Sequence, residues 1–152
     1  MPKLLPESTL SEAVHVSFND GIARVEAQVR PKLIKTVGIV GVGLIGGSFA
    51  LGLKSAGLCE RVIAAGRQQS TLLNAKALGV IDEAVSLESL AQQADLIYIA
   101  VPVKAFASVL QQLTPHLSDN VVICDGGSTK YELITDARAI MGDRIRQFVP
   151  LH

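Results

Sequence analysis

Tryptophan is absent from the sequence, and all aromatic residues together make up only 4% of it. The apolar fraction is nevertheless 49%, so the core must be mainly aliphatic, as is typical of parallel strands that are buried on both faces. A net charge is absent too, because 14 Lys and Arg residues balance 14 Asp and Glu residues. The balance excludes a global basic field for binding nucleic acid or an anionic membrane.

Long apolar runs and abundant cysteine are also lacking. No run reaches the roughly 18 residues needed to cross a bilayer, and the N-terminal segment has no apolar core of a secretory signal. The only two cysteines, Cys59 and Cys124, lie beside or within predicted strands. We expect buried, reduced thiols rather than a disulfide or a metal site, and a cytoplasmic protein without membrane or nucleic-acid partners.

The clearest motif is a strand, a glycine-rich turn and a helix, which occupy residues 35–57. The segment reads KTVGIVGVGLIGGSFALGLKSAG. β-Branched residues precede the turn, and apolar residues follow it at helical spacing. This order is typical of the first unit of a dinucleotide-binding fold, whereas a glycine turn with a purely structural role is the alternative.

Each glycine of the turn has a predicted mechanical role. Gly41 permits the tight turn out of the strand, Gly43 allows close approach of a pyrophosphate, and Gly46 lets the helix pack near the strand. Leu44 and Ile45 open the helix, where free N–H groups and a partial positive charge would face the phosphates. These residues form the predicted diphosphate site.

Short apolar strands alternate with helices in the rest of the chain. The alternation predicts a Rossmann-type, doubly wound α/β fold with a mostly parallel sheet, in which ligands bind beyond the carboxyl ends of the strands. A chain of 152 residues suits a single domain of this kind. The later strands are predicted at 61–65, 80–85, 95–101, 121–124 and 145–149, and the later helices at 70–78, 87–93, 103–117 and 131–141.

Residues 1–34 form a predicted N-terminal extension to a dinucleotide-binding domain at 35–152. Alternating apolar residues on either side of Asn19-Asp20-Gly21 predict a β-hairpin. Several prolines favour the competing interpretation, a flexible extension. In either case we expect His15 to be a surface residue rather than a ligand.

The segment after the second strand indicates which nicotinamide cofactor is bound. An NAD site usually has Asp or Glu there to accept from the ribose hydroxyls, but residues 64–71 read AAGRQQST and contain no carboxylate. Arg67 matches a 2′-phosphate, and Gln68, Ser70 and Thr71 add polar groups near a helix start. We therefore predict NADP, although Arg67 could be a solvated loop residue and Ser70 only a helix cap.

Five stretches give the chain a family resemblance. Over roughly residues 35–152 it resembles the prephenate/arogenate dehydrogenases of tyrosine biosynthesis, and its GRQQST loop is similar to that of the NADP-preferring arogenate dehydrogenases. The stretches are VGIVGVGLIGGSFALGL, GRQQST, LGVIDEAV, IAVPVKAF, and DGGSTK followed by a strand reaching FVPLH.

The resemblance implies an oxidoreductase of aromatic amino acid biosynthesis. Such enzymes pass a hydride from a ring alcohol of prephenate or arogenate to the nicotinamide while the ring loses carbon dioxide. The resemblance implies that His152 accepts the hydroxyl proton and that Ser128 lies near both nicotinamide and substrate. It also implies that Val101, Pro102 and Val103 line the cofactor. A bland alternative is that Ser128 only caps the next helix.

Two departures from the family pattern shape the remaining expectations. The sequence stops at His152, where the family continues with proline and a helical domain for dimerisation and substrate binding, and Val149-Pro150-Leu151 stands where glycines are common. We expect a fragment of a longer homodimeric enzyme that binds NADP but barely turns over prephenate or arogenate by itself. The alternatives are a stand-alone NADP sensor and another Rossmann-type reductase.

Overall fold

A parallel sheet of six strands organises residues 34–151, the part of the chain that the computed structural model describes. The strand order is β3-β2-β1-β4-β5-β6, and every neighbouring pair is parallel. This is the strand order of dinucleotide-binding doubly wound folds, which confirms the predicted fold class. The strands are β1 Ile34–Val40, β2 Cys59–Ala65, β3 Glu83–Ala84, β4 Leu96–Ile99, β5 Val122–Asp125 and β6 Phe148–Pro150.

Helices cover both faces of the sheet. Because side chains alternate along a strand, Val37 and Ile39 of β1 face one side and Val40 the other. The first side packs against α1 and α2, and the second against α3, α4 and α5. The helices are α1 Leu44–Ser55, α2 Gln69–Ala77, α3 Leu87–Gln93, α4 Val103–Leu113 and α5 Lys130–Met141, with 3-10 turns at Thr114–His116 and Gly142–Gln147.

Carboxylates stabilise the amino-terminal edge of the sheet. Asp95 Oδ2 accepts from Thr36 N at 2.9 Å, which ties β4 to β1. Asp82 Oδ2 accepts from Val62 N at 2.8 Å, and its Oδ1 pairs with Lys54 Nζ at 2.9 Å. Burial alone would raise the pKa of Asp82, but the Val62 N–H and the Lys54 ammonium hold it below its usual range.

Several predicted boundaries differ from the observed ones. The helix predicted at 103–117 ends as an α-helix at Leu113, because Thr114 Oγ1 donates to Leu110 O and Pro115 has no N–H to continue the ladder. The last strand begins at Phe148 rather than at residue 145. Gln147, which precedes it, is buried in a 3-10 turn and donates through Nε2 to carbonyls of the segment before β5.

Some sequence predictions lie outside the described residues. They are the hairpin within residues 1–34, the surface position of His15, and the position of His152. Among the helices of residues 34–151, none has the length and apolar character that a bilayer crossing requires.

Candidate functional site

The carboxyl ends of five strands lie in register across the sheet, and the predicted site loops begin there. Val40 of β1 pairs with both Ala65 and Ile99, so the turns after β1, β2 and β4 leave the sheet at one level. Asp125 pairs with Ile99 and Pro150, which brings the loop after β5 and the end of β6 to the same level. This is the edge at which doubly wound folds bind ligands.

The glycine turn has the geometry that its sequence predicted. Gly41 has φ +89°, and a Cβ there would overlap the carbonyl oxygen of Ala100. A Cβ on Gly46 would overlap the Gly41 carbonyl and lie 3.2 Å from Ala100 Cβ, so the start of α1 packs closely on the sheet. Neither position can take a side chain without moving the backbone.

Gly43 differs from the other two glycines of the turn, because a Cβ built on it meets no described heavy atom within 4 Å. It is the N-cap residue of α1 and supplies no side chain to the free N–H groups that follow. The first turn of α1 also contains no acidic residue. Open space, unshared N–H groups and a positive helix end are what an anion requires.

Leu44 and Ile45 flank this opening at the start of α1. Leu44 is 87% exposed and Ile45 is 58% exposed, so neither belongs to the core. Ile45 Cγ2 lies 3.2 Å from the Cβ position of Gly126, which brings the start of α1 against the loop after β5. Ile45 therefore lies between the predicted diphosphate site and the loop that contains Ser128.

The segment after β2 leaves Arg67 exposed, with no ion pair to any described residue. The predicted N-cap role of Ser70 is wrong: the N-cap residue is Gln68, and Ser70 is the second residue of α2. Gln68 has extended backbone torsions, and its Oε1 accepts from Thr71 Oγ1 at 3.1 Å instead of capping the helix. The first turn of α2 has no acidic residue.

The loop after β4 lies against the glycine turn. Val101 Cγ1 is 3.2 Å from the Cβ position of Gly41. Pro102 is the N-cap residue of α4, and Val103 is its first residue. Val101 thus lies close to the glycine turn, and Pro102 and Val103 begin α4 at the same edge of the sheet.

The loop after β5 contains an ion pair that sequence reasoning missed. Asp125 is only 1% exposed, and its Oδ2 accepts from Lys130 Nζ at 2.6 Å and from Gly127 N at 2.8 Å. Ser128 lies exposed between these two donors, and the N-cap residue of α5 is Thr129. Ser128 therefore does not cap α5, and Lys130 is paired with a buried carboxylate. A carboxylate at the end of an apolar strand was the available signal.

A stacked aromatic pair lies beneath these loops and also escaped the sequence analysis. The rings of Phe49 on α1 and Tyr98 on β4 are 3.9 Å apart at an interplanar angle of 12°. The Tyr98 hydroxyl lies against Gly126, where a Cβ would overlap it. Burial raises the pKa of Tyr98, and Cys124 and Asp125 add to the effect, so the phenol stays neutral.

Cys124 lies on β5 as a buried free thiol, and both cysteines are buried as predicted. Burial raises the pKa of Cys124 from 9.0 to about 12; Asp125 adds to this, and Lys130 opposes it. Among the described residues, no group of three His, Cys, Asp or Glu side chains could hold a metal ion.

This pKa predicts a loss of stability in alkali. Above pH 9 the unfolded thiol ionises while the folded thiol stays protonated, so the free energy of unfolding should fall until about pH 12. The loss from this group should approach about 1.4 kcal/mol per pH unit. Urea unfolding of the wild type and Cys124→Ala at several pH values tests it. The stability difference should shrink as pH rises, and a constant difference would contradict the prediction.

Comparison with known proteins identifies relatives of this chain. Residues 49–152, more than half of the chain, match the family model described as prephenate dehydrogenase, nucleotide-binding domain. A prephenate dehydrogenase of Lactococcus lactis subsp. cremoris is 36% identical over 120 residues, which are 78% of this chain and 34% of the relative. A cyclohexadienyl dehydrogenase of Zymomonas mobilis is 32% identical over 123 residues, which are 79% of this chain and 41% of the relative.

A solved structure resembles the fold as well. It is the prephenate dehydrogenase of A. aeolicus in complex with hydroxyphenyl propionate and NAD+, with a TM-score of 0.68 and 32% identity. The match covers 76% of this chain and 40% of that one. The chain thus spans between about a third and two fifths of the length of these relatives.

Proposed function

Since the chain belongs to the family of prephenate dehydrogenase nucleotide-binding domains, we propose that it is the NADP-binding part of an enzyme that oxidises prephenate or arogenate. The observation that carries the cofactor proposal is the pairing of two features at the sheet edge. One is the open, uncapped start of α1 at Gly43, and the other is an exposed, unpaired Arg67 after β2.

Residues on this edge fit the phosphates of such a cofactor. The N–H groups that follow Gly43 would donate to the diphosphate, with the positive end of α1 behind them. Arg67 would hold the 2′-phosphate, since its guanidinium has no protein partner in the described region and no carboxylate lies in the loop to repel that phosphate. Gln68, Ser70 and Thr71 are near neighbours of Arg67 in the sequence, and we assign Leu44, Ile45, Val101, Pro102 and Val103 to the rest of the cofactor site.

The chemistry that NADP supplies when bound is uptake of a hydride from the ring carbon that carries the alcohol. We assign removal of the hydroxyl proton to His152, the residue for which the family resemblance implies this role, and histidine side chains in general suit it because they titrate near neutral pH. Ser128 is exposed in the loop after β5, where its hydroxyl can donate to or accept from the substrate hydroxyl. Aromatisation on loss of carbon dioxide then drives the reaction.

The rest of the enzyme is proposed from the lengths of the relatives. Because the chain spans about a third of the Lactococcus lactis relative, and because the family resemblance implies a helical domain for dimerisation and substrate binding, we propose that a further segment binds the substrate and forms a homodimer. The enzyme would act in tyrosine biosynthesis in the cytoplasm. The chain alone would then bind NADP without appreciable turnover.

The test measures binding and turnover separately. NADP+ and NAD+ are titrated into the 152-residue chain, and NADPH formation from prephenate and from arogenate is followed with this chain and with the longer parent protein. We expect tighter binding of NADP+ than of NAD+ by the chain, and turnover only by the parent. Equal affinities would refute the cofactor assignment, and turnover by the chain alone would refute the need for another segment.

A further inference from the structure

A buried carboxylate anchors the loop that contains Ser128. Asp125 Oδ2 accepts two hydrogen bonds, from Lys130 Nζ at 2.6 Å and from Gly127 N at 2.8 Å. The side chains of Asp125 and Lys130 are 1% and 19% exposed, so solvent screens this pair little. One oxygen atom therefore holds the chain on both sides of Ser128.

Few other hydrogen bonds fix this loop. Gly126 N donates to Ile99 O at 3.0 Å where the loop leaves the sheet. The next backbone bond, from Leu133 N to Thr129 O at 3.4 Å, already belongs to the first turn of α5. Between them, the hydrogen bonds that fix residues 127–130 in the described region are those to the Asp125 carboxylate, and Leu133 packs against Gly127.

The second carboxylate oxygen of Asp125 argues against a purely stabilising role for the Asp125–Lys130 ion pair. Asp125 Oδ1 is buried and has no hydrogen-bond partner among the described residues. Removing a carboxylate from water is costly, and apolar side chains of similar volume are often as stable as a buried ion pair. The buried charge at the carboxyl end of β5 therefore indicates a role in positioning the loop that follows.

We propose that Asp125, through Lys130 and the Gly127 amide, is a positioning residue that holds the Ser128 hydroxyl where the nicotinamide and substrate meet. The inference rests on the proposed function, because the position of the Ser128 hydroxyl affects activity only if that hydroxyl contacts the substrate. It assigns Asp125 no contact with either ligand. Lys130 acts with Asp125 as one unit, since each neutralises the other.

The opposite edge of the sheet provides a matched control. Asp82 also pairs with a lysine, Lys54 at 2.9 Å, and accepts from a backbone amide, Val62 N at 2.8 Å. Asp82→Asn therefore removes the same kind of charge and the same kind of bonds, far from the proposed site. Because Asp82 is 44% exposed and Asp125 only 1%, urea unfolding of both variants is measured beside kcat, and only an effect on kcat beyond the loss of stability reports position.

The experiment is a double-mutant cycle between Asp125→Asn and Ser128→Ala. The first readout is the emission of NADPH bound to the 152-residue chain, which depends on the surroundings of the nicotinamide. The second is kcat of the longer parent. We expect Asp125→Asn to lower kcat about tenfold with little change in the KM for NADP+, because misplacing a reacting group costs mainly rate. In the Ser128→Ala background Asp125→Asn should have little further effect on either readout.

The outcomes separate this inference from the proposed function. If Ser128→Ala itself changes neither readout, the proposed role of Ser128 fails, and the positioning role fails with it. If Ser128→Ala acts but Asp125→Asn multiplies its effect, or if Asp82→Asn has the same effect, only the positioning role is overturned. If Asp125→Asn does not fold, Lys130→Gln replaces it in the cycle with the same expectations, and Lys130→Arg should restore kcat.

Discussion

Replacing Gly43 with alanine is expected to weaken NADP+ binding about 100-fold while leaving the fold intact. The backbone at Gly43 has φ −95° and ψ −158°, which alanine adopts without strain. A Cβ there meets no described atom within 4 Å, so nothing in the domain has to move. The methyl group would instead occupy space that the diphosphate needs to reach the N–H groups of α1.

The measurement is a titration of NADP+ into the wild type and Gly43→Ala, together with urea unfolding of both. Gly52→Ala is the matched control, because Gly52 lies in the same helix and a Cβ there also meets no described atom within 4 Å. That change should leave the Kd unchanged and raise the free energy of unfolding by about 0.5–1 kcal/mol. Unchanged NADP+ affinity in Gly43→Ala would contradict a diphosphate at the start of α1.

The sheet order and the glycine turn could be predicted because they follow from local patterns. Apolar runs separated by amphipathic helices specify a doubly wound sheet almost regardless of which aliphatic residues fill it. The turn at Gly41 and the packing of Gly46 were predictable because only glycine tolerates a positive φ or a carbonyl in the place of its Cβ. In these places short-range sterics alone decide the structure.

Other features could not be predicted, because they depend on contacts between distant segments. The stack of Phe49 on Tyr98 joins α1 to β4, and nothing in either local sequence indicates the partner. Ser70 is a good N-cap by residue type, yet α2 begins earlier, because the extended backbone of Gln68 already leads into the helix. Gln147 Nε2 likewise donates to Val121 O, a distant carbonyl, and a 3-10 turn occupies the position where the last strand was predicted to begin.

The candidate site also contains features that could be predicted from the sequence and features that could not. The strand ends placed the loops with Gly43, Arg67 and Ser128 at one edge, as the topology required. The state of each side chain at that edge was not predictable: Arg67 is unpaired, whereas Lys130 is paired with a buried carboxylate. Charge partners are set by the packing of α5 on β5, which hydrophobic periodicity specifies only coarsely.

Arg67→Ala is expected to weaken NADP+ binding about 100-fold and to leave NAD+ binding unchanged. A bidentate pair between guanidinium and phosphate contributes about 3 kcal/mol, since each hydrogen bond to a charged group contributes about 1.5–3 kcal/mol. NAD+ has no 2′-phosphate, so it loses nothing when the guanidinium is removed. Because Arg67 is exposed, its contribution should also decline as salt screens the charge.

Titrations of both cofactors into the wild type and Arg67→Ala, at low and high ionic strength, measure these effects. Arg61→Ala is the control, because Arg61 is an arginine of β2 that already donates to Gln93 Oε1 at 2.6 Å and lies 3.7 Å from Glu83. Its removal should leave the ratio of NADP+ to NAD+ affinity unchanged at either salt concentration. An equal loss of affinity for both cofactors in Arg67→Ala would indicate that the guanidinium contacts the adenine or the diphosphate. The preference for NADP would then need another cause.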